Sequence, residues 1–237
     1  MFSRRFNYWL GRRLGAGGNR RSVCEESNFG WAYSWVIKGL AMADKKTISV
    51  YDSQITEYVE CINKQSVDKI LMDFISRFER NDFILDLGCG PAVSSAVMRE
   101  HGLRVDPVDA SVEMVKLANE KFDIGARQAL FEEVAGRGLY DGIWANFSLL
   151  HATREELPNI LRLLYESLKS NGIFHMGMNI GQGSGRDKFD RFYSYYSEDE
   201  LRVFLKNAGF TNVSVELGEG MGLAGNVEPW IALRSIS

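Results

Sequence analysis

Cysteine and histidine are both scarce in this 237-residue chain. The three cysteines, Cys24, Cys61 and Cys89, are odd in number and form no C-x-x-C pair. That argues against a disulfide framework and for a reducing compartment, so a cytoplasmic location is expected. His101, His151 and His175 show no metal-ligand spacing, alone or with the cysteines, and no metal is expected. Long apolar runs are missing too. The nearest, Phe29 to Leu40, is too short to span a bilayer and carries Lys38. Positive charge is not in excess: the formal net charge is −3, and no basic stripe with interleaved aromatics points to nucleic acid. There is no internal repeat. What is present is a 45% hydrophobic content, enough for a sizeable core in a chain of one-domain length.

One stretch departs from that average. Residues 1–41 carry a net charge of +5 against −8 for residues 42–237. The first 24 residues are Arg-rich and free of acids, as organellar transit peptides are. Three readings stand for this segment: a loosely attached extension, a targeting segment, or residues upstream of a true start at Met42. The domain proper is expected over residues 42–237.

The chain is organised around Phe83-Ile84-Leu85-Asp86-Leu87-Gly88-Cys89-Gly90-Pro91. An apolar run ends in an acid and a Gly-x-Gly turn, and a helical pattern follows. This reads as a buried parallel strand, a tight turn and a helix. Gly88 and Gly90 can take backbone angles that let the chain press against a ligand, and the helix start behind them offers unpaired N–H groups. The dinucleotide fingerprint would need a third glycine at position 93, where Val93 stands. A plain structural strand-to-helix turn also fits a lone Gly-x-Gly.

The remaining elements follow from periodicity and caps. A helix is expected from Val50 to Tyr58, with Tyr51 and Tyr58 as a packing stripe. A second is expected over Val67 to Phe78, with Ser66 as N-cap. After the first strand and its helix (92–100), a second strand runs from Leu103 to Val108 and ends at Asp109. Asp109 lies 21 positions beyond Gly88, where an acid can accept hydrogen bonds from a ribose. Its competitor, Asp106, precedes Pro107 within the strand. Ala110-Ser111 opens the next helix. Further strands are expected at 126–130, 140–145, 173–178, 211–217 and 229–236. Capping boxes at Thr153/Glu156 and Ser197/Glu200 open the last two helices, the first of which Asn171-Gly172 should end. The connection from Asn179 to Tyr196 is long, glycine-rich and aromatic, which suggests a functional loop. Alternating strands and helices imply α/β with a mostly parallel sheet.

Leu85-Asp86-Leu87-Gly88-Cys89-Gly90-Pro91 resembles motif I of the class I S-adenosylmethionine-dependent methyltransferases. The likeness continues through Val108-Asp109-Ala110-Ser111, Tyr140–Ala145, Ser148–His151 and Leu168–Gly172, and covers roughly residues 50 to 236. It implies a Rossmann-like seven-stranded sheet with helices on both faces and an antiparallel last strand. It implies S-adenosylmethionine as cofactor and a small-molecule acceptor with an O or N nucleophile. On this resemblance the cofactor would meet Tyr51, Asp86, Gly88, Cys89, Gly90, Asp109, Ala110, Ser111 and Asn146. The acid that many relatives place after the third strand is absent, which leaves adenine to backbone groups and to packing on Leu130 or Phe131. His151 is the candidate base, competing with a role in packing or capping. Arg191 and Tyr196 are candidates for gripping an anionic or polar acceptor, competing with a solvated loop charge and a packed aromatic. A protein that binds the cofactor without turnover is the alternative. An NAD-dependent oxidoreductase loses on the missing glycine. Oligomeric state and acceptor identity are not specified.

Overall fold

A computed structural model describes residues 44–53, 69–134, 136–222 and 225–237. The proposed start at Met42, the extension 1–41, Cys24, Cys61, Tyr58, Ser66 and Val67 lie outside these residues.

In the described order the helices are α1 (Lys45–Ser53), α2 (Lys69–Ile75), α3 (Val93–Glu100), α4 (Val112–Phe122), α5 (Leu157–Ser167) and α6 (Glu198–Ala208). The strands are β1 (Phe83–Leu87), β2 (Arg104–Asp109), β3 (Arg127–Gln128), β4 (Tyr140–Asn146), β5 (Leu168–Asn179), β6 (Ser184–Arg186), β7 (Phe192–Ser194), β8 (Thr211–Met221) and β9 (Val227–Ile236). Seven of them form one sheet in the order β3-β2-β1-β4-β5-β9-β8. β9 pairs antiparallel with both β5 and β8, and the other pairs are parallel. This is the expected Rossmann-like fold, with its last strand reversed.

Alternation along the central strands supplies two cores. Ile84 and Trp144 pack with Leu71, Phe74 and Met98 from α2 and α3. Leu85, Ile143 and Phe174 pack with Leu157, Leu161, Leu201 and Leu205 from α5 and α6. Helices therefore cover both faces, and β1 is buried along nearly its whole length, as an interior parallel strand must be. Among the described residues no helix is long and apolar enough to cross a membrane.

Local chemistry sets several boundaries differently from the periodicity. The first helix begins at Lys45 because the Asp44 carboxylate accepts from Lys46 N (3.3 Å) and Thr47 Oγ1 (2.7 Å) at its start. The helix α5 stops at Ser167, four residues before Asn171, because Leu168 turns extended and pairs with Tyr140 of β4. β3 is two residues long; Ala129 N adds one more bond to Asp109 O of β2 before the chain turns at Phe131–Val134. The long connection folds into the β6–β7 hairpin. Both capping boxes form, the second as the N-cap of α6. Glycine at 218 is needed for the β8–β9 ribbon, because a Cβ there would stand 2.2 Å from the Trp230 ring.

Inside β1 the buried Asp86 accepts a 2.6 Å hydrogen bond from Ser95 Oγ on α3, tying the helix to the strand. Burial, reinforced by the Asp109 charge, pushes the Asp86 pKa up to about 7 although Ser95 opposes the rise. Between the unfolded value and about 7 the native state holds the extra proton, so stability falls as pH rises through that window. Asp86→Asn keeps an acceptor for Ser95 and removes the charge. It is expected to raise the melting temperature at pH 8 and to flatten its decline between pH 5 and pH 8; parallel thermal melts of parent and variant check this.

Candidate cofactor and acceptor site

The order of the sheet reverses between β1 and β4, and ligands in open α/β sheets bind outside the carboxyl ends of strands at such a point. A cleft lies there, with about 710 Å³ of empty space, part of it open solvent. Gly88 and Gly90 line it from the turn after β1, and Asp109, Ala110 and Ser111 from the end of β2. Leu130 and Phe131 line it after β3, and Phe147, Ser148 and His151 after β4. Met114 of α4 and Asp44, Thr47, Ile48 and Tyr51 complete the walls.

Asp109 holds the two turns together. Its Oδ2 accepts from Gly90 N and its Oδ1 from Ser111 N, both at 2.8 Å. Burial raises its pKa, with those backbone N–H groups pulling the other way. Asp106 points elsewhere, to Arg127 at 2.8 and 2.9 Å and to the Tyr140 hydroxyl at 2.5 Å. Gly88 and Gly90 take the positive φ the turn needs, 74° and 51°, without strain, whereas Ala92 at 58° is a strained non-glycine residue.

α1 is fastened across the cleft. Arg186 reaches Asp44 at 2.9 and 3.2 Å, Lys46 pairs with Asp190, and Thr47 Oγ1 accepts from Phe192 N at 2.8 Å. On the other side Asp52 Oδ1 accepts from Ser111 Oγ at 2.5 Å. Tyr51 provides the middle fastening. Its hydroxyl lies 2.9 Å from His151 Nε2 and accepts from Arg191 Nη1 at 3.3 Å. His151 Nδ1 lies 2.7 Å from the Phe192 carbonyl, which can only accept, so Nδ1 carries the proton and Nε2 accepts from Tyr51. Burial lowers the His151 pKa to about 4, leaving the ring neutral at pH 7.

Several expected site residues stand elsewhere. Arg191 is 3% exposed and forks onto Asp187 through Nε and Nη2, at 2.9 and 2.5 Å. Its guanidinium packs among Tyr51, Phe189 and Tyr193. It is a buried structural cation, with its charge already answered, and does not line the cleft. Tyr196 is fully buried beneath Arg154 and against Phe204, out of reach of any acceptor. No cation lines the cleft among the described residues, so the expected grip on an anionic acceptor has no anchor there. Asp86 lies behind the turn on Ser95, Cys89 Sγ donates to the Gly90 carbonyl, and Asn146 Oδ1 faces His175. None of the three lines the cleft. Asp44, Thr47, Ile48 and Met114 line it without having been expected there, whereas Phe147 and Ser148 follow Asn146 at the carboxyl end of the fourth strand, where a ligand is expected. Of the first four only Asp44-x-x-Thr47 carries a local signal, that of a helix start.

A family model described as a methyltransferase domain matches residues 57–215, more than half of the chain. The chain belongs to that family. No curated protein sequence matches it. Among solved structures it is similar to the 1,6-didemethyltoxoflavin-N1-methyltransferase of Burkholderia thailandensis, with bound 1,6-didemethyltoxoflavin and S-adenosylhomocysteine. The identity is 20%, over 84% of this chain and 91% of that one, with a TM-score of 0.67. It is similar to phosphoethanolamine N-methyltransferase 2 of Haemonchus contortus in complex with S-adenosyl-L-methionine, at 16% identity, over 84% of this chain and 61% of that one, TM-score 0.66. A SAM-dependent methyltransferase of Methanosarcina mazei matches at 16% identity over 73% and 99%, TM-score 0.62. These likenesses show the fold.

The turn of this methyltransferase domain also makes a structural demand. A Cβ on Gly88 would stand 2.3 Å from Ser148 Cβ, and its φ of +74° disfavours any side chain. Gly88→Val is therefore expected to lower the melting temperature of the ligand-free protein by several degrees, not merely to block a ligand. A differential scanning measurement without ligand checks this, and an unshifted transition would contradict it.

Proposed function

We propose that this protein transfers the methyl group of S-adenosyl-L-methionine to an O or N nucleophile of a small molecule. The observation that carries the reading is the Asp109 carboxylate at the switch point. An ionised carboxylate offers about four lone-pair sites. Gly90 N and Ser111 N occupy two and Ala110 N lies close to the same group, which still leaves acceptor capacity for a ribose hydroxyl. Leu130, Phe131 and Met114 offer apolar surface for a base beside it. The residues present therefore fit the cofactor, with adenine at the Leu130–Phe131 end and the rest of the molecule towards Gly88.

When bound, the cofactor supplies a methyl group already activated on a sulfonium. The protein's task is then mainly to bring a nucleophile into line, and orientation can contribute about 7–11 kcal/mol. The α1 cover, fastened to the β6–β7 hairpin, excludes water from that end of the cleft. Neutral His151 takes a proton at Nε2, in exchange for the Tyr51 hydroxyl that holds the position in this structure. The Phe192 carbonyl fixes its tautomer for that role. Phe147, Tyr51 and Ile48 make the acceptor side largely apolar, and Asp44 is the one charged group beside them in the lining, which favours a neutral acceptor over an anion. A cytoplasmic setting belongs to the same reading and is supported by the scarcity of cysteine.

Calorimetric titration with S-adenosylhomocysteine tests the cofactor half. The parent and Asp106→Ala are expected to bind alike, and Asp109→Ala at least tenfold more weakly, since bonds to a charged group are worth roughly 1.5–3 kcal/mol each. The reverse ranking would unseat Asp109. The chemical half is tested by S-adenosylhomocysteine release with a pool of cell-extract metabolites. With an acceptor in hand, His151→Ala is expected to lower turnover by roughly a hundredfold or more with little change in cofactor affinity. The parent's turnover should fall as pH drops through about 4, where Nε2 becomes protonated. A variant as fast as the parent would remove His151 from the chemistry.

A further inference from the structure

His151 is built as a weak base. Its Nδ1–H goes to the Phe192 carbonyl, a neutral group. A carboxylate in that place would stabilise the imidazolium that proton uptake creates, and among the described residues none bonds the ring. The acids whose charge reaches it, Asp187 and Asp44, are each bonded to an arginine of their own, Arg191 and Arg186. The ring packs edge-to-face on Tyr51 and Tyr193, and the Arg191 guanidinium lies 5.4 Å from the centroid of each. A fixed cation therefore stands behind both walls. The lowered pKa of about 4 agrees with this arrangement, burial being its largest cause.

That weakness limits which nucleophiles the site can use. An alcohol attacks well only as its proton leaves, and a phenol, with an ordinary pKa of about 10, needs much the same help. An aliphatic amine is about as basic as lysine, with a pKa of about 10.4, and arrives as an ammonium without a lone pair. An ammonium also needs an anionic wall. The acid on the acceptor side, Asp44, already accepts from Arg186, Lys46 N and Thr47 Oγ1. An azole or arylamine nitrogen is neutral at pH 7 and has its lone pair free. It can attack first, and its N–H becomes acidic only once the methyl has arrived. A weak base suffices for that later proton.

The walls fit a flat molecule as well. Phe147 lines the cleft 40% exposed, with φ of 55°, which a bulky side chain seldom adopts. A ring stacked on it would remove that aromatic surface from water. We propose that the acceptor is a flat, uncharged aromatic compound, methylated on an azole or arylamine nitrogen. The nitrogen lone pair forms the N–C bond, and the C–S pair withdraws onto sulfur to leave S-adenosylhomocysteine. The N–H proton passes to His151 Nε2 and then to solvent. The proposal rests on the reading that this cleft carries out methyl transfer.

The test gives the full-length parent S-adenosylmethionine labelled in its methyl group. The acceptors compete in one mixture: a cell-extract metabolite pool with equal amounts of benzimidazole, naphthylamine, naphthol and naphthylmethylamine added. NMR identifies the atom that bears the label. The expected result is label on aromatic nitrogen, in the pool or among the probes, favoured over oxygen and aliphatic nitrogen by roughly a hundredfold or more. On the protein loaded with S-adenosylhomocysteine, Phe147→Ala is expected to raise the calorimetric Kd of the preferred acceptor about tenfold, which corresponds to 1.4 kcal/mol. Label mainly on oxygen, sulfur, carbon or an aliphatic amine would overturn the acceptor class and leave methyl transfer standing. An unchanged Kd in Phe147→Ala would overturn the stacked, flat acceptor. No label in any product would bring down the transfer reading itself, which separates that failure from the failure of the acceptor class.

Discussion

One carboxylate joins the parts of this site. Asp109 reaches across from the end of β2 to Gly90 N, and along its own chain to Ser111 N. It thereby fixes the turn after β1 relative to the turn before α4, and the cleft is the space between them. The cost of burying it is visible in its raised pKa, and the backbone N–H groups offset that cost only in part. Everything further out depends on this geometry. Ser111, placed by Asp109, receives α1 through Asp52, and α1 then carries Tyr51 to His151.

The second layer of organisation is a set of interactions that no single element contains. Arg191 lies at their centre. Its partner Asp187 also accepts from the N–H groups of Phe189 and Arg191, so the loop before β7 is wound around one ion pair. Breaking such a pair by removing one partner leaves the other buried and uncompensated, which typically costs about 3–5 kcal/mol. A residue held this firmly is a poor gripper of substrate and a good support for Tyr51, whose hydroxyl it contacts.

The local features are legible in the amino-acid sequence. The Gly-x-Gly turn, Asp109 at its spacing, the two capping boxes and the alternation of strands and helices each depend on residues within about twenty positions of one another. The resemblance supplies the antiparallel last strand, and the structure has it. What is not legible depends on distant neighbours. An arginine in a glycine-rich loop looks alike whether it faces solvent or Asp187, although the four-residue spacing of the pair is there to see. Tyr196 reads from its place in a long loop either as a grip on an acceptor or as a packed aromatic, and Phe204 and Arg154 enclose it. Ser148 falls within the Ser148–His151 stretch of the resemblance, but its close approach to Gly88 is visible only in the structure.

The three left-handed residues Gly88, Gly90 and Ala92 have a further consequence. Ala92 is a non-glycine residue held in that conformation while fully buried, so the surrounding packing determines its backbone. Ordering one residue costs about 1–2 kcal/mol in conformational entropy. Here that loss falls on the folding of the chain, before any ligand arrives. A cofactor meeting this turn finds a rigid wall already shaped. Its affinity should then follow from the bonds it makes with that wall and the water it displaces, with little loop entropy left to lose.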